Sequence, residues 1–208
     1  MILTDGRSRI LVFGAVRGLV EEGRALLELA GSFGPDVMAL AVSREELRAL
    51  LQGPEVDGSS EMTNYDEAYA GHLSRYGEIA MPPPDLVSAC RFALERGIPA
   101  RSVDLTERAM LEASLRYLRP IDTMRYGMVM RNLAGRRFRA TTAREFAVEW
   151  DGHILRLRGF RDLERHRERH IAARLLALAR RYRRVLAVVE IQRMEGIVAH
   201  LVGFEPEG

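Results

Sequence analysis

Ile10-Leu11-Val12-Phe13-Gly14-Ala15-Val16-Arg17-Gly18 decides how this chain folds. Its apolar run is too short for an ordinary helix and stops at a glycine, so it reads as a buried strand ending in a polar turn that carries one arginine. Working outward, Leu19 to Ala30 has apolar residues at 19, 20, 26, 27, 29 and 30 and reads as a helix. Gly31, Gly34 and Pro35 then mark a turn. Val37 to Val42 is a second buried strand, and Ser43 is placed to cap a helix from Arg44 to Gln52, with Glu46 completing a capping box. Strand, helix, strand, helix in this order predicts an α/β fold, a mainly parallel sheet covered by helices.

After this second βα unit, residues 53–84 read as an irregular insertion, of the kind that forms a lid or binding loop. Its polar candidates are Glu61, Tyr65, Asp66, His72, Tyr76 and Glu78, and Tyr65 to Tyr76 can hold a short helix. A helix from Pro84 to Arg96 stops at Gly97, and Ala100 to Leu105 is a short strand ending near Asp104. Thr106 caps a helix from Glu107 to Leu118, and Pro120 breaks it. Ile121 to Leu133 and Thr142 to Trp150 read as helices, the latter alternatively as a strand paired with Ile154 to Leu157. A long helix, Phe160 to Arg184, delivers the chain to the strand Val185 to Val189. For 208 residues with 47% hydrophobic content, one domain over 1–208 is the simplest organisation.

The last strand and its turn, Val185-Leu186-Ala187-Val188-Val189-Glu190-Ile191-Gln192-Arg193-Met194-Glu195-Gly196-Ile197, mirror the opening stretch. Ligands of α/β domains bind at the carboxyl ends of strands, so Arg17 and Arg193 are expected at one crevice.

In these segments the chain resembles the TraB/PrgY family, related to Tiki-like and erythromycin-esterase-like proteins. That pattern opens with a strand and a Gly-x-x-His turn, continues with a strand ending in Glu, and closes with a second Gly-x-x-His followed by Gly-Ile. Gly14-Ala15-Val16-Arg17 stands at the first turn with Arg17 for the histidine, and Pro35-Asp36-Val37-Met38-Ala39-Leu40-Ala41-Val42-Ser43 at the second strand with Ala41 for the Glu. Glu190-Ile191-Gln192-Arg193 takes the second turn, with Glu190 for the glycine and Arg193 for the histidine, while Gly196-Ile197 is kept. Arg167 falls in the family's Glu-Arg-Asp helix, here His166-Arg167-Glu168, and Asp104 ends a middle strand as the family's Asp does. The similarity spans most of the chain in order and spacing, but no chemical residue at the family's centre survives.

Arginine stays protonated and has no lone pair for a metal, so Arg17 and Arg193 can neither bind zinc nor act as ordinary bases, and Ala41 removes the carboxylate that would activate water. The resemblance therefore implies no catalytic residue, no metal and no cofactor. Two guanidinium groups in a crevice can hold a carboxylate or phosphate through forked hydrogen bonds. Arg17, Arg193, Glu190, Arg167 and Asp104 form the expected ligand-binding set, for an anionic small molecule, a peptide end or a partner protein. Three alternatives stand beside it. Arg17 and Glu190 can simply pair across the sheet end; a hydrolase with relocated chemistry can draw on Glu190, Glu195, His72 or Glu78; and the chain can be a structural or assembly protein, including a homo-oligomer.

All 31 basic residues are arginine, and the formal net charge of +2 does not demand a nucleic-acid partner. Arg136-Arg137-Phe138-Arg139 and Arg180-Arg181-Tyr182-Arg183-Arg184 do interleave cations with an aromatic that can stack on a base. His166 and His170, with Asp162 a turn earlier, have helical metal spacing but are surrounded by arginine, which favours a solvated face with Glu164–Arg167 and Glu168–Arg165 surface pairs. The lone Cys90 excludes an internal disulfide. Neither a basic, apolar leader nor an apolar run near the ~20 residues that span a bilayer is visible, so a cytoplasmic location is the expectation.

Overall fold

The computed structural model describes residues 1–53 and 64–207. Among them the chain runs β1 (Ile2–Thr4), β2 (Arg9–Ala15), α1 (Val20–Phe33), β3 (Val37–Leu40), α2 (Arg44–Gln52), α3 (Asn64–Leu73), α4 (Pro84–Arg96), β4 (Ala100–Ser102), α5 (Glu107–Tyr117), α6 (Pro120–Ala134), α7 (Ala143–Ile154), α8 (Arg158–Ala179), β5 (Arg184–Glu190), α9 (Ile191–Ala199) and β6 (Glu205–Pro206). The fold is α/β, with one sheet of strand order β4-β3-β5-β2-β1-β6. The neighbours β4, β3, β5 and β2 are mutually parallel, and β1 and β6 extend the β2 edge antiparallel.

Both faces of the parallel strands are covered, which is why β2, β3 and β5 read as continuous apolar runs. On one face Phe13, Met38, Leu40 and Val188 pack with Leu26 of α1 and Leu86 and Ala89 of α4. On the other, Val12, Ala39, Val185 and Ala187 pack with Ile171 and Leu175 of α8 and Ile197 of α9. A third cluster joins α3, α6 and α7 around Leu73, Leu133, Phe146 and Trp150.

The helix reading of 142–150 holds and its strand alternative does not: Thr142 and Glu145 form a full capping box at the start of α7. Ser43 Oγ accepts from Glu46 N at 3.0 Å and Thr106 Oγ1 from Ala109 N at 3.2 Å, as the sequence predicted. The long helix is shorter than its periodicity implied, because α8 ends at Ala179 and Arg180 to Arg183 form the turn into β5. The hairpin of β1 on β2 was not predicted; Asp5 organises its turn by accepting from Arg7 N, Ser8 N and Ser8 Oγ. Within the insertion, α3 supplies the expected short helix, while Glu61 and the side chains of Tyr65 and Asp66 lie outside the described residues.

The β2–β5 register pairs Gly14 with Val189 and Ala15 with Glu190, and α9 then turns back over β2. Gly14 is small because α9 lies directly on it: a methyl group there would meet Ile191 Cδ1 at 2.7 Å and Met194 Sδ at 2.9 Å. Gly196 serves the opposite side of α9, where the Glu168 carboxylate occupies the space a side chain would need. Gly14 and Gly196 are thus both explained by helix packing. Gly14→Val is expected to lower stability by about 1–3 kcal/mol through overpacking, read as a lower urea midpoint. Gly31→Ala, in α1 with nothing within 4 Å of an added methyl, is expected to raise it by roughly 0.5–1 kcal/mol.

Candidate functional site

At the carboxyl edge of the parallel strands, β2 is followed by a helix on one face of the sheet and β5 by a helix on the other, the topological switch point at which α/β domains form their ligand crevice. Arg17 lies just past β2, Glu190 is the last residue of β5 and the residue before α9, and Arg193 is in the first turn of α9. The crevice is spanned by a single chain of ion pairs. Arg17 Nη1 lies 2.9 Å from Glu190 Oε1, and Glu190 Oε2 lies 2.5 Å from Arg193 Nη1. Arg193 Nε donates to Glu164 Oε2 at 2.6 Å, Glu164 Oε1 accepts from Arg167 Nη1 at 2.9 Å, and Arg167 Nη2 donates to Asp104 Oδ2 at 2.5 Å. Arg17 also reaches over the end of β5 to donate from Nη2 to Ala41 O, at 3.3 Å, past the end of β3.

Arg17, Arg193, Glu190, Arg167 and Asp104 are therefore in one network, linked by Glu164, which the sequence reading put on a solvated face. The expected Arg17–Glu190 pair across the sheet end is present. Glu164 belongs inside because the stripe of α8 that buries Ile171 and Leu175 continues toward the amino end as Glu168, Arg167 and Glu164, beyond the edge of the strands. Glu168 accordingly turns toward Gly196, and the described ion pairs do not include the surface pair expected with Arg165.

Three guanidinium and three carboxylate groups alternate along the chain, so it is neutral in itself. Burial alone would raise the Glu190 carboxyl, but Arg17, Arg193 and Arg167 hold it down at about 2. Arg193 is likewise held protonated against burial by Glu190, Glu164 and Asp104. The groups around the chain behave in the opposite way. Asp151 is pushed up to about 6 by burial and by Glu164, with Arg193 opposing. Asp85, 2% exposed in the first turn of α4, is also raised to about 6 by burial, with Arg17 opposing. Burial raises Glu46 and Glu168 as well. None of these four carboxyls makes an ion pair among the described residues, while the three arginines of the chain are already paired with Glu190, Glu164 and Asp104. Three buried polar atoms here lack a hydrogen-bond partner among the described residues, Arg17 Nε, Asp85 Oδ1 and Arg193 Nη1, the last of which keeps its ion pair to Glu190. Neither Asp85 nor Asp151 had a sequence signal, since each is buried by elements far away in the chain.

The remaining candidates lie elsewhere. His72 is a core histidine: its Nε2 donates to Ala134 O at 3.1 Å, and its ring packs against Phe138, Phe146 and Trp150. Tyr76 donates to Ala140 O at 3.0 Å. His166 packs on Tyr117, and among the described residues no group of three or more His, Cys, Asp or Glu side chains could hold a metal ion. Phe138 and Tyr182, the aromatics within the two basic runs, both pack against apolar clusters. Cys90 is buried, and desolvation pushes its thiol up to about 11. No described helix is long and apolar enough to cross a membrane.

Glu190→Gln is expected to cost about 3–5 kcal/mol at pH 7, because it leaves two arginines short of a buried counter-charge. The Glu190 contribution is complete above the ordinary carboxylate range and fades as pH falls toward 2, so denaturation midpoints of wild type and variant should converge in acid. Asp151 has the reverse sign: its proton is held more tightly in the fold, which is penalised as pH rises through 6. Asp151→Asn is expected to gain up to roughly 2–3 kcal/mol at pH 8 and almost nothing below pH ~4, measured by the same titration.

No family model matches the chain, and no curated protein matches it.

Proposed function

We propose that this chain is a divergent, non-catalytic TraB-like protein that binds a carboxylate-bearing small molecule or peptide end at the Arg17 end of its switch-point crevice. The supporting observation is that two of the three unmet buried atoms, Arg17 Nε and Asp85 Oδ1, also lack an ion pair of their own, whereas Arg193 Nη1 keeps its ion pair to Glu190. Buried polar atoms are nearly always hydrogen-bonded, so two orphans beside one crevice call for a group that meets them. Arg17 is the entry point. Its side chain is 27% exposed, against 12% for Arg193 and 15% for Arg167. Its Nη2 is held only by the 3.3 Å bond to Ala41 O, so the Nε/Nη2 fork can turn to a carboxylate. Arg193 stays engaged with Glu190 and Glu164 and acts by fixing Glu190.

The same geometry sets a pH requirement. Asp85, Glu46 and Glu190 repel an incoming anion when ionised. A protonated Asp85 no longer repels and can donate a hydrogen bond. Binding should therefore strengthen as pH falls through about 6. Arginine has no lone pair to act as an ordinary base, and the histidine of the insertion is engaged in the core, so neither serves as a general base here.

Thermal-shift screening of dicarboxylates, and of short peptides with free or amidated carboxyl ends, tests the reading. At about 100-fold excess over Kd a true ligand should raise Tm by roughly 5–10 °C. The shift should be larger at pH 5.5 than at pH 8, vanish in Arg17→Ala, and lose its pH dependence in Asp85→Asn. No ligand-dependent shift in wild type at either pH would remove the small-molecule site.

A further inference from the structure

The opposite edge of the sheet, where the parallel strands begin, carries a second concentration of arginine. A groove of about 550 Å³ is lined there by Arg7, Arg9, Arg183 and Arg184, with Asp36 and Glu207 as its acidic members. Arg9 Nη2 is 2.5 Å from Glu207 Oε2, and Arg184 Nη2 is 3.2 Å from Asp36 Oδ1, so both acids are already used. Arg7 and Arg183 are exposed and their guanidinium groups have no ion pair or hydrogen bond among the described residues. The groove thus has an excess of two positive charges, as large as the formal net charge of the whole chain.

This excess is held in place by the backbone. Arg9 and Arg184 are register partners across β2 and β5, and Arg9 N donates to Arg183 O at 2.7 Å, which fixes the Arg183 backbone beside the start of β2. Arg7 sits in the hairpin turn, where its N–H donates to Asp5 Oδ1 at 2.9 Å. The two free guanidinium groups therefore project from anchored backbone at the lip of one groove.

We propose that this groove is a binding site for a phosphate-bearing small ligand, of the diphosphate class. Two free forks on different strand ends offer more donors than one carboxylate has oxygens to meet, whereas a diphosphate presents several charged oxygens on two centres. The groove volume lies within the range of small-ligand sites. Nucleic acid fits less well, since single-strand binders stack bases on exposed aromatic faces. The two aromatics near this groove are not available: Tyr182 packs against the core, and the Arg9 guanidinium lies 5.4 Å over the Phe33 ring. The site is independent of the crevice reading, as it uses none of the same side chains.

Isothermal titration of the full chain with inorganic phosphate, pyrophosphate and a single-stranded oligonucleotide tests it, using wild type, Arg7→Ala/Arg183→Ala and Arg17→Ala. Saturable binding of pyrophosphate, tighter than phosphate, weakened at least tenfold in the double variant and unchanged in Arg17→Ala, is the expected result. The two side chains replaced in the double variant are exposed and unpaired among the described residues, so circular dichroism should show that variant and wild type alike. Absent pyrophosphate binding in wild type, equal binding in the double variant, or binding of the oligonucleotide alone would each overturn the proposal.

Discussion

Glu190 holds two guanidinium groups at once, one on each oxygen, and the arrangement of the whole carboxyl edge follows from that double hold. It ends the central strand β5 and starts α9, so its position is set by the sheet while its partners come from the first turn after β2 and the first turn of α9. A carboxylate at a helix start also suits the helix dipole, although Glu190 makes no capping hydrogen bond. From Arg193 the network passes through α8 to Asp104, two residues past β4. One continuous set of charges thus ties the ends of the parallel strands to the two helices on one face. Such an assembly is stable only when complete, because each member removed leaves its neighbour buried without a counter-charge.

The neutrality of this chain divides the rest of the molecule electrically. Three arginines match three acids, and the further carboxyls around them remain as an acidic surplus whose pKa values burial raises. At the other end of the strands the imbalance has the opposite sign, with two acids matched and two arginines free. A small net charge on the chain thus conceals two poles of opposite character, separated by the length of the sheet. Charge totals taken from composition average this away, whereas what an approaching ion meets is local.

The parts of the fold legible in the sequence were those governed by neighbours in the chain. Apolar runs gave β2, β3 and β5, and local capping residues such as Ser43 and Thr106 gave the starts of α2 and α5. The start of α7 was equally local, since the Thr142–Glu145 pair that settles it as a helix has capping-box spacing. The short strands β1 and β6 exist only through pairing at an edge, and three or two residues have no pattern to read. At the site, Arg17, Glu190 and Arg193 were legible because strand ends position them. Glu164 was visible as a partner of Arg167 at helical spacing, but its burial depends on α9 lying alongside α8, which spacing along one helix cannot encode. Asp85 and Asp151 were illegible for the same reason.

Heat bears unequally on such a construction. The hydration of charged groups weakens as temperature rises, so the cost of keeping six of them out of water shrinks, while apolar burial gains little further. The belt of charges across the strand ends therefore contributes a growing share of cohesion on warming, at the place where the sequence departs most from an ordinary apolar core.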